Sequence, residues 1–141
     1  VSDIKIRRHD GDRPLIEYLD SRLFTDEERV DYVDESAWWV GWNGDVPVAY
    51  AGARYIPEAN AVFLSRAGVL HEARGQGLQR KMISLRLRWA RTTGAKSAIT
   101  YTHPLNHPSS NNLIRSGFLL YSPQWQWAGP EFLYWMLPLK K

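Results

Sequence analysis

Cysteine is absent from the 141 residues. That excludes disulfides and a cysteine nucleophile, and it leads us to expect a cytoplasmic protein. No apolar run approaches the roughly 20 residues of a membrane helix, so no membrane partner is expected. The opening stretch VSDIKIRRHD lacks the apolar segment that a signal peptide carries. Internal repeats, linkers and low-complexity tracts are missing too. The net charge is only +3, with basic residues dispersed rather than blocked, so a nucleic-acid partner is not demanded.

What is present suits one globular domain spanning 1–141. Hydrophobic residues make up 44%, enough for a core, and seven tryptophans are available to core, pocket or interface alike. Ile4 to Arg7 alternates as a strand does. Asp12-Arg13-Pro14 opens a helix with Leu15, Ile16, Leu19 and Leu23 on one face. Thr25-Asp26-Glu27-Glu28 is a capping box that predicts a second short helix to about Glu35. Trp38 to Trp42 and Val46 to Ile56 read as strands about the hairpin signal Asn43-Gly44-Asp45. Both alternating sets of the return strand are apolar, so both of its faces should be covered. Ala61 to Leu70 is the next strand.

The chain is organised around Val69 to Trp89. An apolar strand end, Ala67-Gly68-Val69-Leu70, leads through His71-Glu72-Ala73 to Arg74-Gly75-Gln76-Gly77. A helix follows, with Leu78, Met82, Leu85 and Trp89 as its apolar stripe and Gly94 as its stop. Strand, glycine turn and helix present unpaired N–H groups at a helix start, an anion site by construction. Gly75 and Gly77 place no side chain between backbone and ligand. We read a pyrophosphate cradle; a plain helix-starting turn explains the spacing equally well. There is no G-x-x-x-x-G-K-[ST], and Gly75-x-Gly77 lacks the third glycine of a dinucleotide fingerprint. Ser97 to Thr102 is a strand, His103 to Asn106 a loop, Pro108 to Ser116 a helix, and Phe118 to Tyr121 and Phe132 to Leu137 are the last strands. The order makes an α/β protein with a mixed sheet.

Two blocks together resemble the GNAT superfamily of N-acetyltransferases. Val69-x-x-x-x-Arg74-Gly75-Gln76-Gly77-Leu78 is similar to its coenzyme A signature. Asn106-x-x-Ser109, followed by Gly117-Phe118, is similar to its asparagine-to-Gly-Phe segment. The likeness covers roughly Trp38 to Leu137. It implies the acyl-CoA N-acyltransferase fold, a mixed, splayed sheet of six or seven strands flanked by helices. It also implies acetyl-CoA as cosubstrate and transfer of its acetyl group to a primary amine of a small molecule, peptide or protein. Arg74, Gly75, Gln76, Gly77, Leu78 and Gln79 would then wrap the pyrophosphate. Main-chain groups around Ala67, Val69 and Leu70 would align pantetheine, and Asn106 would steady it. A degenerate member that holds acyl-CoA or a partner without turnover is the alternative.

Two positions depart from the family pattern. Gln79 stands where Gly or Ala is usual. Leu113 stands where many members have a tyrosine that protonates the leaving thiolate; Ser109, Tyr101 or Tyr121 would have to substitute, or water. A lysine-like amine, with a pKa of about 10.4, must also lose a proton before it attacks. Phe63-Leu64-Ser65-Arg66, where some members carry a glutamate, has no carboxylate. His103 is the candidate base because histidine titrates near neutrality; a solvated loop histidine is the plain reading. Tyr101 would orient the acceptor, or pack in the sheet. Glu72 would receive the amine, or be a solvated turn carboxylate. Arg54 and Arg66 would meet an acidic acceptor or a cofactor phosphate, or snorkel from strand ends. Trp125-Gln126-Trp127 would wall an acceptor pocket, make a homodimer contact, or pack as a strand. His103 and His107 have metal-ligand spacing, but Pro104 and the lack of a third ligand argue against metal.

Overall fold

The computed structural model describes residues 3–24 and 30–139. Seven strands and three helices follow in the order β1 (Ile4–Arg8), α1 (Arg13–Leu23), β2 (Ala37–Asn43), β3 (Val46–Ile56), β4 (Ala61–Val69), α2 (Leu78–Thr92), β5 (Ser97–Thr102), α3 (His107–Arg115), β6 (Leu119–Leu120) and β7 (Leu133–Pro138). The sheet runs β1-β2-β3-β4-β5-β7-β6. It is mixed: β4 and β5 are parallel, while β1/β2, β2/β3, β5/β7 and β6/β7 are antiparallel. A helix-length crossover is what a parallel pair requires, and α2 supplies it. The described residues form two compact units, one drawn from 3–24, 30–54 and 65–82 and the other from 55–64 and 83–139.

In the first unit, α1 begins where its sequence says. The Asp12 side chain caps it by accepting from Leu15 N–H at 3.2 Å, and Pro14 sits where its missing N–H costs nothing. The two-residue turn Gly44-Asp45 joins β2 to β3, with Gly44 at φ 64°, as the tight hairpin geometry favours. Val48 to Ala53 of β3 are all buried, as the doubly apolar pattern predicts. One core cluster packs Ile16 and Leu19 of α1 against Trp38, Val40, Tyr50 and Leu70. A second packs Val48, Ala49, Ala51 and Val69 against Ala73, Leu78 and Met82.

The expected second helix is corrected. Its capping box, Thr25 to Glu28, lies outside the described residues. Val30 to Glu35 is not helical: Tyr32 has a φ of 56°, and Glu35 N–H donates to Tyr32 O at 3.2 Å in a turn. Val30 and Val33 are instead pulled into the core, where Trp38 Nε1 donates to the Val33 carbonyl at 2.9 Å.

In the second unit, the β4–β5 ladder runs from Ala61↔Ser97 to Phe63↔Ile99. At Leu64 the carbonyl accepts instead from the Thr100 hydroxyl at 2.8 Å. Helix α3 is held by a buried polar triad. The Thr102 and Ser110 hydroxyls are 3.1 Å apart, and Trp135 Nε1 donates to Thr102 Oγ1 at 2.9 Å.

The apolar stripe of α2 also needs correction. Leu78 and Met82 are buried as expected, but Leu85 and Trp89 are only half-buried. Ile83, Arg86, Leu87 and Ala90 complete the covered face. Burial pushes the Arg86 guanidinium pKa down to about 10, since desolvation penalises the charged form. The penultimate strand is shorter than its apolar run, Leu119–Leu120 only; both residues are exposed and pair with Met136 and Trp135 of β7.

Candidate functional site

The glycine turn of the first unit is built from β4 and α2. Leu70 N–H donates to Val48 O at 2.8 Å, anchoring the strand end. One 3₁₀ turn, His71–Ala73, follows. Ala73 N–H closes onto Leu70 O at 2.9 Å and Arg74 N–H onto His71 O at 3.2 Å. The Arg74 side chain folds back and its Nε donates to Val69 O at 3.1 Å, bracing strand end against turn. Gly75 and Gly77 then take φ of 81° and 73°, a left-handed conformation that other residues adopt at a cost. Buried Ala73, Leu78 and Met82 pin the turn from beneath.

What this leaves is a set of donors facing open space. A Cβ at Gly75 or Gly77 would meet nothing within 4 Å. Gly75, Gln76 and Gly77 are exposed. Among the described residues, the N–H groups of Gly75, Gln76 and Gly77 have no backbone acceptor, and the first bond of α2 is Lys81 N–H to Gly77 O at 3.1 Å. The first turn of α2 carries no acidic residue, while Arg80 and Lys81 are exposed there. Unpaired amides, helix dipole and two cations all favour an anion, and the residues present fit a pyrophosphate. Gln79 is half-buried, and Ala67, Val69 and Leu70 lead into the turn.

The other sequence-derived candidates lie in the second unit. Asn106 caps α3, its side-chain oxygen accepting from Ser109 N–H at 3.3 Å. Ser109 is half-buried; it is the neighbouring Ser110 that faces Thr102. His103 is exposed, and its Nδ1 accepts from Leu105 N–H at 3.1 Å. In the neutral ring this places the proton on Nε2. Tyr101 lies parallel to Phe63 at 6.0 Å between ring centroids and edge-on to Trp127 at 5.4 Å and Phe132 at 4.8 Å. Trp127 also meets Phe63 at 5.3 Å and Tyr134 at 5.1 Å, so it packs in an aromatic cluster, whereas Trp125 is exposed. Leu113 is buried and serves packing. Tyr121 is half-buried beside Tyr134.

Sequence reasoning missed one polar cluster in the first unit. Tyr50 Oη donates to Asp20 Oδ1 at 2.5 Å, and Arg66 Nη1 approaches the same oxygen at 3.8 Å. Both Tyr50 and Asp20 are buried. The one available signal was Asp20, an acid within an otherwise apolar helix face.

Mixed sheet, parallel β4–α2–β5 unit and open glycine turn together define an acyl-CoA N-acyltransferase-type fold. The family model for the acetyltransferase (GNAT) family matches residues 5–118, and the chain belongs to that family. Solved structures agree on the fold. An acetyltransferase from Bacillus subtilis, in complex with CoA, superposes with a TM-score of 0.78 at 14% identity, covering 98% of this chain and 100% of that one. A ribosomal-protein alanine N-acetyltransferase from Escherichia coli gives 0.75 at 14%, covering 99% and 96%. A Bacillus anthracis protein assigned as a streptothricin acetyltransferase, in complex with acetyl coenzyme A, gives 0.75 at 13%, covering 98% and 99%. No curated protein is a significant match to the sequence. Among the described residues no helix is long and apolar enough to cross a membrane.

Proposed function

We propose that the protein is an acetyl-CoA-dependent N-acetyltransferase acting on a primary amine. The observation that carries this reading is the open glycine turn at Gly75 and Gly77, with its unpaired amides, in a chain of this family. The turn from Arg74 to Gln79 would hold the pyrophosphate by backbone N–H groups. Arg80 and Lys81 would add positive charge. Backbone groups at Ala67, Val69 and Leu70 would align the pantetheine arm. The family resemblance gives Asn106 a part in steadying pantetheine, for which its side-chain NH₂ is left, its oxygen being committed to α3. Acetyl-CoA supplies an activated acetyl group and a thiolate leaving group with a pKa near the cysteine range of roughly 8.5.

The chain's own task is then positioning and proton transfer. His103 is assigned the amine proton, which it accepts at Nδ1 after releasing Leu105 N–H. Because Leu113 has no hydroxyl, Ser109, Tyr101 or Tyr121, or water, would protonate the leaving thiolate. The test is an amine panel incubated with acetyl-CoA and followed for free thiol and acetylated product. Thiol release that depends on the amine supports transfer. Leu113 and the absence of a carboxylate on β4 favour a second reading, a module that binds CoA without turnover; binding with no thiol release by any amine selects it.

A further inference from the structure

One face of the first unit gathers two arginines beside a hydroxyl that has nothing to bond. Side chains alternate along a strand, so Tyr50, Gly52 and Arg54 of β3 share a face. Tyr50 reaches Asp20 of α1, which identifies that face as the one α1 covers. Ser65 of β4 lies against it: its Oγ is 2.7 Å from where a Gly52 Cβ would stand, with the Trp38 ring at 2.6 Å from the same point. Only glycine at 52 leaves room for both. The Ser65 Oγ is buried and has no hydrogen-bond partner. Such a group is costly in a folded protein and calls for an explanation.

The arginines are held by rings. Arg66 lies 4.6 Å over Phe24 and approaches Asp20 at 3.8 Å. Arg54 lies 3.8 Å over the Tyr32 ring. Tyr32 holds a φ of 56° to present that ring, its carbonyl tied by Ser36 Oγ at 2.7 Å. A left-handed conformation is unusual for so bulky a residue and persists where the surroundings enforce it. The Arg54 guanidinium is held over that ring, and among the described residues it makes no hydrogen bond or ion pair.

We infer that this face binds the carboxylate of the acceptor, so that the acceptor is an amino acid, an amine that also carries one carboxylate. Arg54 supplies a flat fork of the kind that pairs with two carboxylate oxygens, and Ser65 supplies a hydroxyl donor. Among the described residues Asp20 offsets the charge of Arg66 and no carboxylate pairs with Arg54, so the charge left to match there is that of Arg54. One negative charge suffices, which suits a carboxylate better than a phosphate dianion. The inference rests on the acetyltransferase reading for the fate of the amine, but its binding arm does not need turnover.

The experiment is calorimetric titration of the whole protein, without acetyl-CoA, with a panel of L-amino acids and their C-terminal amides. At least one acid should bind, and its amide should bind roughly 10-fold or more weakly, as loss of a charge-assisted pair implies. Arg54→Gln should abolish the difference between acid and amide, and Arg54→Lys should restore part of it. Ser65→Ala should weaken acid binding while raising the thermal midpoint, because it removes an unsatisfied buried group; a merely structural Ser65 would leave binding untouched. Equal binding of acid and amide, binding of neither, or an Arg54→Gln protein that is folded and still selective overturns the inference. Failure to bind acetyl-CoA would instead strike the acetyltransferase reading and leave the carboxylate result to stand by itself.

Discussion

Asp12 has two partners at the head of α1. His9 Nε2 lies 2.9 Å from Oδ2, and Leu15 N–H donates to Oδ1. The His9 hydrogen bond first, then that of Leu15, holds the carboxyl below its ordinary value of 3.8. A depressed carboxylate pKa stabilises the fold above the unfolded value and loses that contribution as pH falls through the folded one. Asp12→Ala should therefore cost about 1 kcal/mol at neutral pH, the usual worth of an N-cap. Urea unfolding should show the gap closing in acid below the ordinary carboxylate range; a gap independent of pH contradicts the assignment. At Gly77, a carboxylate would stand where the pyrophosphate would sit, so Gly77→Glu should weaken CoA binding roughly 10-fold or more, since like charges at close range cost several kcal/mol. Gly77→Asn, which tolerates the left-handed backbone, separates charge from strain and should retain most of the affinity. His103→Ala should lower turnover by roughly 100-fold, the scale of one general base, with CoA affinity near that of the parent. An unchanged pH–rate profile would remove His103 from the chemistry.

Among the elements, α2 is the one whose packing departs most from its pattern. Met82 is wholly buried and Leu85 is not. Met82→Ala should destabilise by about 2–5 kcal/mol, and Leu85→Ala by clearly less, as cavity cost follows burial; equal losses would restore the stripe first read from spacing. Local features were legible. The Asp12 cap, the Gly44-Asp45 hairpin and the turn at Gly75 each rest on residues a few positions apart, and each stands where it was read. The helix expected from Thr25 to Glu35 fails over Val30 to Glu35 because Val33 and Trp38 gain more from the core than from helical pairing. Arg86 was illegible for the same kind of reason: an arginine is buried only by what packs on it, and sequence spacing does not show that.

At the scale of the molecule, the strand β7 inserts between β5 and β6. Nothing in hydrophobic periodicity orders strands that way, and the family resemblance implied a mixed, splayed sheet without an order for its strands. The glycine turn reads as an anion cradle from Gly75, Gly77 and the helix that follows, but its assignment to coenzyme A came from the resemblance. The Asp20–Tyr50 bond joins residues 30 apart, and the Phe63–Tyr101–Trp127 cluster joins three separate stretches, so neither had a local signature. Acceptor choice would rest on such long-range assemblies, which leave no local signature in the sequence.

The cradle is the claim on which the functional account turns, and calorimetric titration of the purified, folded protein with acetyl-CoA tests it most directly, with ATP and NAD as controls. Acetyl-CoA should bind selectively, with a dissociation constant on the order of micromolar, about −8 kcal/mol, and that binding should be lost in Gly77→Glu. No binding, or binding of ATP and NAD as strong as that of acetyl-CoA, would contradict it.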